Sequence, residues 1–514
     1  MIVGLTASNA AVRRGHACAP RTEQVARIAF AYLMASLFQR LPLSFRPLTQ
    51  SCERHMALLA QAIFLTAKGR LREVYLMALR HFGAAAAVAI AVGMTASPAL
   101  AATEIQWWHA MTGANNDVIV KLANDFNASQ SDYKVIPTYK GNYADTMNAG
   151  IAAFRAGNAP HIMQVFEVGT ATMMAATGAV KPVYKLMAEA GEKFDPKIYL
   201  PAITGYYSTS KGEMLSFPFN SSSTVMWVNL DELKKANVEI PKTWPETFEA
   251  AKKLHDNGHP TCGFSGSWVT WVNLEQLSAW HNVPLASKAN GLDGFDTKLE
   301  FNGPLQVKHL EKLVELQKDK TYDYAGRTNT GEGRFTSGEC AIYLTSSAFF
   351  GNVKAQAKFN FTAVPMPYYP DVKGAPQNSI IGGASLWVMG GKSADEYKGV
   401  AKFLTFLSDT DRQVYIHKAS GYLPITKAAY EKAKAEGFYK DQPYLETPLL
   451  ELTNKEPTEN SRGLRLGNMV QLRDVWAEEI EQALAGKKTA KQALDASVER
   501  GNTMLRQFEK TAVK

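Results

Sequence analysis

The chain of 514 residues has four cysteines, no apolar run long enough to span a bilayer and, beyond its first fifth, no excess charge of either sign. Each scarcity excludes something. A transmembrane helix needs about 18 or more consecutive apolar residues, and none are present. Residues 1–101 carry 11 Lys and Arg against Glu23, Glu53 and Glu73, whereas residues 102–514 carry 45 bases and 45 acids. The formal charge of +8 and the pI of about 9.0 therefore belong to the first segment. That argues against a basic, nucleic-acid-binding body. What remains is ordinary: 46% hydrophobic and 20% charged residues describe a globular chain, and its length suggests two domains or more.

Local catalytic motifs are also missing. The run 390-GGKS-393 ends like a phosphate-cradling loop, but Leu386 stands where that motif needs Gly. The stretch 331-GEGRFTSG-338 lacks the spacing of a dinucleotide loop, and no GxSxG elbow occurs. His255 and His259 lie four apart, yet Gly and Pro in 255-HDNGHP-260 predict a solvated loop, not a helical metal site. No catalytic residue, metal ligand or cofactor is expected.

What is present begins with an export signature. In 77-MALRHFGAAAAVAIAVGMTASPALA-101, Arg80 and His81 precede a short apolar stretch and an Ala99-Leu100-Ala101 cleavage site. Residues 77–101 are expected to be a signal peptide and Ala102 the mature start. Residues 1–76 are read as a non-native upstream extension, with translation starting at Met77. No Cys follows the apolar stretch, so a lipid anchor is not expected. Of the cysteines left in the mature chain, Cys262 and Cys340, the sequence leaves open a disulfide or two free thiols.

The mature chain alternates strand-like and helix-like segments. Strands are predicted over 105–108, 134–137, 162–166 and 225–228. Helices are predicted over 116–126, 143–156, 170–177, 246–255 and 305–317, with two more in the tail separated at Gly486. The alternation predicts an α/β architecture with mostly parallel sheets. The stretch 365-PMPYYPDVKGAP-376 is a loop or inter-domain connection.

Aromatic and small polar clusters carry the chemistry. In 265-SGSWVTWVN-273, Trp268 and Trp271 suit the C–H face of a polyol or sugar, although two core tryptophans would look the same. The run 219-FNSSST-224 offers hydroxyls, or a simple cap. The glycines of 380-IIGGASLWVM-389 would let backbone N–H groups approach an anion, or merely begin a strand tightly. The arginines of 461-SRGLRLGNMVQLR-473 suit phosphate, or form a solvated face.

In this order, 136-IPTYKGNY-143, 149-AGIAAFRAGNAP-160, 167-EVGTATMMA-175, 218-PFNSS-222, 376-PQNSIIGGASLWVM-389, 421-GYLPITKAAY-430 and 463-GLRLGNM-469 resemble the periplasmic sn-glycerol-3-phosphate-binding proteins of Ugp ABC transporters, in extracellular solute-binding protein family 1. The likeness runs over residues 103–514; 242-KTWPE-246 is a weaker part of it, shared by many solute-binding proteins. The resemblance implies a two-lobed periplasmic binding protein of the maltose-binding type with its ligand between the lobes. The expected lobes are 102–222 with 363–408, and 223–362 with 409–514. The resemblance places ligand contacts at Tyr143, Glu167, Ser222, Trp268, Trp271, Ser346 (or its neighbour Ser347), Gly383, Tyr422 and Arg473. Arg473, the Gly383 N–H and the hydroxyls of Ser346, Tyr143 and Tyr422 are expected on phosphate, Glu167 on the glycerol hydroxyls and the tryptophans over its carbons. Ser222 suits either end.

Ser267 and Thr270 stand where the family has Gly, so the tryptophan loop is expected to differ. A single Arg among neutral donors would also admit phosphodiesters such as glycerophosphocholine. The implied function is a monomeric, non-enzymatic receptor that hands its ligand to the permease and ATPase subunits of an importer. A sugar receptor of the same fold and a secreted phosphodiesterase are the alternatives.

Overall fold

A computed structural model describes residues 102–512 except Thr177, Ser210, His259 and Pro260. The expected extension, the signal peptide and His259 of the histidine loop lie outside the described residues. Among the described residues nine strands form two sheets. Strand β1 (Thr103–His109) turns Ile105, Trp107 and His109 inward by simple alternation. Helix α1 (Gly113–Ser129) follows, burying Val118, Ile119, Leu122, Ala123 and Phe126 at helical spacing. Then come β2 (Tyr133–Tyr139), α2 (Tyr143–Arg155), β3 (Ile162–Phe166), α3 (Thr170–Ala175) and β4 (Phe217–Ser222). After a single residue, β5 (Thr224–Asn229) begins the second sheet. It is followed by α4 (Trp244–Asp256), β6 (Cys262–Gly266), α5 (Pro304–Gln317), β7 (Cys340–Ser346), α6 (Phe350–Gln356) and β8 (Phe361–Val364). The chain returns to the first sheet as β9 (Gly382–Val388) and ends in α7 (Ala394–Leu407), α8 (Thr410–Ser420), α9 (Met469–Leu484) and α10 (Ala490–Ala512).

The sheet orders are β2-β1-β3-β9-β4 and β6-β7-β5-β8. The expectation of mostly parallel sheets is corrected. Only β1–β2, β1–β3 and β6–β7 are parallel, while β9 runs antiparallel to β3 and β4, and β5 antiparallel to β7 and β8. The cause is the crossing. Strands joined by helices on one sheet come back parallel, but strands that carry the chain between sheets come back reversed. The stretch from α8 onward serves both sides. Ile416, Tyr422, Leu423 and Ile425 join the core around β1, whereas Val414, Ala429, Tyr439 and Leu445 join a core around β7.

Cys262 and Cys340 face each other in the β6–β7 register and form a disulfide, with Cα atoms 4.8 Å apart. Trp107, Trp227, Trp244, Trp387 and Trp476 are fully buried, so five of the largest side chains anchor the layers. Each contributes on the order of 2 kcal/mol or more by leaving water. Among the described residues, no helix is long and apolar enough to cross a membrane.

Candidate functional site

Four helical segments start on one cavity, each just past the carboxyl end of a strand. Thr112 precedes α1, Asn142 precedes α2, Phe166 precedes the turn Glu167–Gly169 that leads into α3, and Ser346 precedes the turn Ser347–Phe349 that leads into α6. Sequence builds each start. Asn142 forms a capping box with Asp145, and Ser346 Oγ accepts from the Ala348 N–H at 3.1 Å. Thr112 caps α1 with no side-chain bond, and no acid occupies the first turn of α1. The α1 start therefore turns uncapped N–H groups and its positive dipole end to the cavity, and the other three starts open on the same space.

The cavity encloses about 790 Å³, its open mouth included. Tyr143, Glu167, Ser222, Trp268, Trp271, Ser346, Gly383, Tyr422 and Arg473 all line it, so the structure brings every expected site residue together. Ser347, the considered substitute for Ser346, is buried beside it and does not line the cavity.

One set of lining groups is neutral. The Tyr143 ring stacks on Phe166 at 5.2 Å, and Tyr143 Oη accepts from Asn220 Nδ2 at 3.0 Å. Gln164 Nε2 in turn donates to Asn220 Oδ1 at 2.9 Å, fixing that amide. Tyr422 follows the left-handed Gly421 that ends α8, and its carbonyl is held by His417 Nδ1 at 2.6 Å. Gly383 has φ +89°, and a Cβ there would meet Asn220 O at 1.9 Å. Only glycine permits this close pairing of β9 with β4. Gly382 has a different reason: a Cβ would lie 2.4 Å from the Trp271 ring, which packs against the strand there.

The tryptophan loop explains the two departures from the family pattern. Ser267 is tied to the second sheet, its N–H donating to Leu344 O at 2.9 Å and its Oγ bonding Tyr343 Oη at 2.9 Å. Thr270 is right-handed helical. The left-handed residue is Trp268 itself, at φ 54°. A tryptophan in that region stores strain, a recurrent mark of functional loops. Trp271–Gln276 continues as a π-helical turn, a rare conformation often found at sites. Gln276 locks it to the approach of β9, donating to Ile380 O at 2.7 Å and accepting from Ile380 N at 3.0 Å.

A second set of lining groups is charged. Arg473 is the single cation expected on the phosphate, among neutral donors. Instead its Nε and Nη2 donate to Glu275 Oε1 and Oε2 at 2.8 and 2.6 Å, and Nη2 also donates to Glu167 Oε1 at 2.8 Å. The π-helical turn delivers Glu275 there, four residues after Trp271. Two carboxylates outweigh one guanidinium, so this set cannot by itself attract an anion. Burial pushes the Glu167 carboxyl up to about 7 against the pull of Arg473, with the Glu275 charge adding to the rise. The other two arginines of the 461–473 stretch lie elsewhere. Arg462 pairs with Asp293 at the surface, and Arg465 donates to the carbonyls of Gly205, Tyr206 and Ser208.

Sequence reasoning missed Glu275 and Glu332, which both contribute buried carboxyls. The i,i+4 spacing of Trp271 and Glu275 was a usable signal. Glu332 lay inside 331-GEGRFTSG-338, a stretch tested only as a glycine loop. Among the described residues, no three His, Cys, Asp or Glu side chains cluster as a metal site.

Two sheets with their strand ends and helix starts turned to one shared cleft define a solute-binding protein. The chain belongs to the family described as bacterial extracellular solute-binding protein, whose profile matches residues 121–447. Over 422 residues it is 50% identical to the sn-glycerol-3-phosphate-binding periplasmic protein UgpB of Brucella abortus (strain 2308), covering 82% of this chain and 96% of that one. Over 430 residues it is 49% identical to the protein of that name from Escherichia coli (strain K12), covering 83% and 98%. Among solved structures, UgpB from Mycobacterium tuberculosis in complex with glycerophosphocholine matches with a TM-score of 0.65 at 18% identity, over 79% of this chain and 99% of that one. Maltose-bound MalE3 of T. maritima matches with a TM-score of 0.64 at 19% identity, over 78% and 100%. At such identities the solved structures speak for the fold.

Proposed function

We propose that this chain is the periplasmic substrate-binding subunit of an ABC importer. It captures sn-glycerol 3-phosphate, and glycerophosphodiesters such as glycerophosphocholine, and delivers them to membrane permease subunits driven by a cytoplasmic ATPase. It performs no chemistry on the ligand. One observation carries the reading: nine residues from widely separated segments, each matched to a family motif, meet in one cavity. Relatives about half identical over nearly their whole length bear the corresponding name.

In this reading the phosphate lies among the hydroxyls of Tyr143, Ser222, Ser346 and Tyr422 and the Gly383 backbone. The helix starts supply the positive potential that net charge does not. Glu167, held by Arg473, accepts from the glycerol hydroxyls, and Arg473 Nη1, which bonds no other described residue, is left for the ligand. Trp268 and Trp271 cover the carbons. The first sheet supplies Tyr143, Glu167, Ser222 and Gly383, and the second supplies Ser346 and the tryptophan loop, so the ligand favours a form in which both reach it.

The sugar-receptor alternative rests on the paired tryptophans and the fold. A neutral sugar gives less reason for four helix starts and a buried guanidinium in one cleft. Calorimetry of the mature protein with sn-glycerol 3-phosphate, glycerophosphocholine and maltose separates the two. Binding of the phosphate esters and not of maltose is expected; maltose binding alone overturns the reading. Release of free alcohol from a glycerophosphodiester would point to the phosphodiesterase instead.

A further inference from the structure

Glu332 is a carboxylic acid in the wall of this cavity with no cation beside it. It sits between the turn Asn329–Gly331 and the short helix Gly333–Thr336, and is 9% exposed. It lines the same space as Ser346 and Tyr422, which the proposed function assigns to the phosphate. Thr345 Oγ1, on β7, donates to Glu332 Oε1 at 2.9 Å. The groups facing it from the surrounding elements are otherwise neutral: the Asn329 amide from its own turn, the Tyr343 phenol from β7 and the Tyr422 phenol from the segment after α8. Arg334, two residues along, is held by Asp323 and Glu339. Arg473 is engaged by its own two carboxylates.

A phosphoryl oxygen placed among these hydroxyls would therefore meet a carboxyl group with no positive charge to separate them. Two such anions in a desolvated site repel strongly unless a proton lies between them. We propose that Glu332 is a specificity-determining residue of this site, whose carboxyl group shares one proton with the phosphoryl group of the bound ligand. No covalent bond is made or broken. The proton sits on one oxygen of the O–H···O pair, and solvent supplies it when the free carboxyl is ionised. Such a pair admits a phosphate monoester or diester together with one proton. It also makes the hydroxyl set selective for strong acceptors, since a neutral sugar hydroxyl gains less from an acid donor. Burial, which pushes the Glu332 carboxyl up to about 8 against its hydrogen bonds from Thr345 and Asn329, agrees with the geometry.

The inference rests on the proposed function, and one experiment distinguishes their failures. Calorimetry of the mature chain is run with sn-glycerol 3-phosphate and with glycerophosphocholine, in buffers of different protonation enthalpy. The range is about pH 8.5–9.5, above both Glu332 and Glu167. The expected result is uptake of about one proton per ligand, with affinity falling roughly tenfold per pH unit, for both ligands. The diester carries no titratable phosphate proton in this range, so its uptake belongs to the protein. Glu332→Gln, which donates an N–H at every pH, is expected to abolish the uptake and to bind more tightly than wild type near pH 9. Binding of the phosphate esters with no proton uptake, or uptake with the monoester alone, overturns the inference and leaves the proposed function standing. Failure to bind phosphate esters at any pH overturns the function itself.

Discussion

Glu167 and Glu332 line one cavity and are buried to similar degrees, yet their surroundings differ in one respect. Glu167 has a guanidinium within 2.8 Å; Glu332 has neutral donors alone, the Thr345 hydroxyl at 2.9 Å and the Asn329 amide. Burial raises both carboxyls, to about 7 and about 8. The smaller rise at Glu167 is what remains after Arg473 pulls down and Glu275 pushes up. The comparison teaches that this cavity manages acidity in two ways. Around Glu167 it keeps charge and pairs it; around Glu332 it keeps no cation and holds the carboxyl neutral. A ligand with an anionic head and a hydroxylated tail meets both.

The largest effect should come from breaking the pairing around Glu167. Arg473→Ala leaves Glu167 and Glu275 buried beside each other without a cation. Removing one partner of a buried pair typically costs about 3–5 kcal/mol. Chemical denaturation should show a loss of that order near neutral pH, and calorimetry should show ligand binding abolished. Arg473→Lys should recover part of the stability, because it restores the charge, but not the forked grip on Glu275. Wild-type stability and affinity in Arg473→Ala would mean that the two surroundings do not differ as described.

A smaller effect tests the unpaired carboxyl through stability alone. An ordinary unfolded glutamate titrates near 4.3, whereas folded Glu332 is raised to about 8. Between those values the folded chain holds a proton that the unfolded chain has released. Wild-type stability should therefore fall as pH rises through this window, and the Glu332 contribution should level off above about 8. Glu332→Gln cannot ionise and should escape this fall. Its melting temperature relative to wild type should climb from pH 5 to pH 8 and then stay constant. A difference independent of pH would show that folded Glu332 titrates like an ordinary glutamate and is ionised throughout this window.

Much of this was legible before any coordinates. Strand β3 fell on 162–166 as predicted, because five consecutive buried residues bounded by turn residues leave little choice. The tail helices and the separating Gly486 followed from 3.6-residue periodicity. The segments that resemble a known family led to nine positions that the fold gathers in one place. Less was legible where side chains meet across distance. Nothing local tells Arg473 that Glu275, 198 positions earlier, will take its fork. The antiparallel course of β9 depends on where the chain crosses between sheets, which periodicity does not encode. Glu332 is hidden for a different reason: an acid in a glycine-rich turn normally faces water, and only the tertiary fold buries this one beside Thr345.

The smallest expected effect concerns the apolar cover of the cavity. Trp268 is half-buried, lies 6.5 Å from the Tyr143 ring and holds φ 54°, whereas Trp271 is buried against Gly382. A bulky residue in the left-handed region costs about 1–2 kcal/mol of backbone strain, and Asn tolerates that conformation best among residues with side chains. In Trp268→Asn the relieved strain and the lost ring contacts should largely offset each other. Denaturation should then shift by no more than about 1 kcal/mol, within the usual range for a partly exposed site. Affinity for the glycerol ester should nevertheless fall, because the ring that covers the ligand's carbons is gone. The pH dependence assigned to Glu332 should persist, since Trp268 bears no titratable group. A loss of stability as large as that of Arg473→Ala would make Trp268 a core residue. Unchanged affinity would remove it from the site. The expected combination, weak on stability and clear on binding, is what a strained residue kept for its ligand should give.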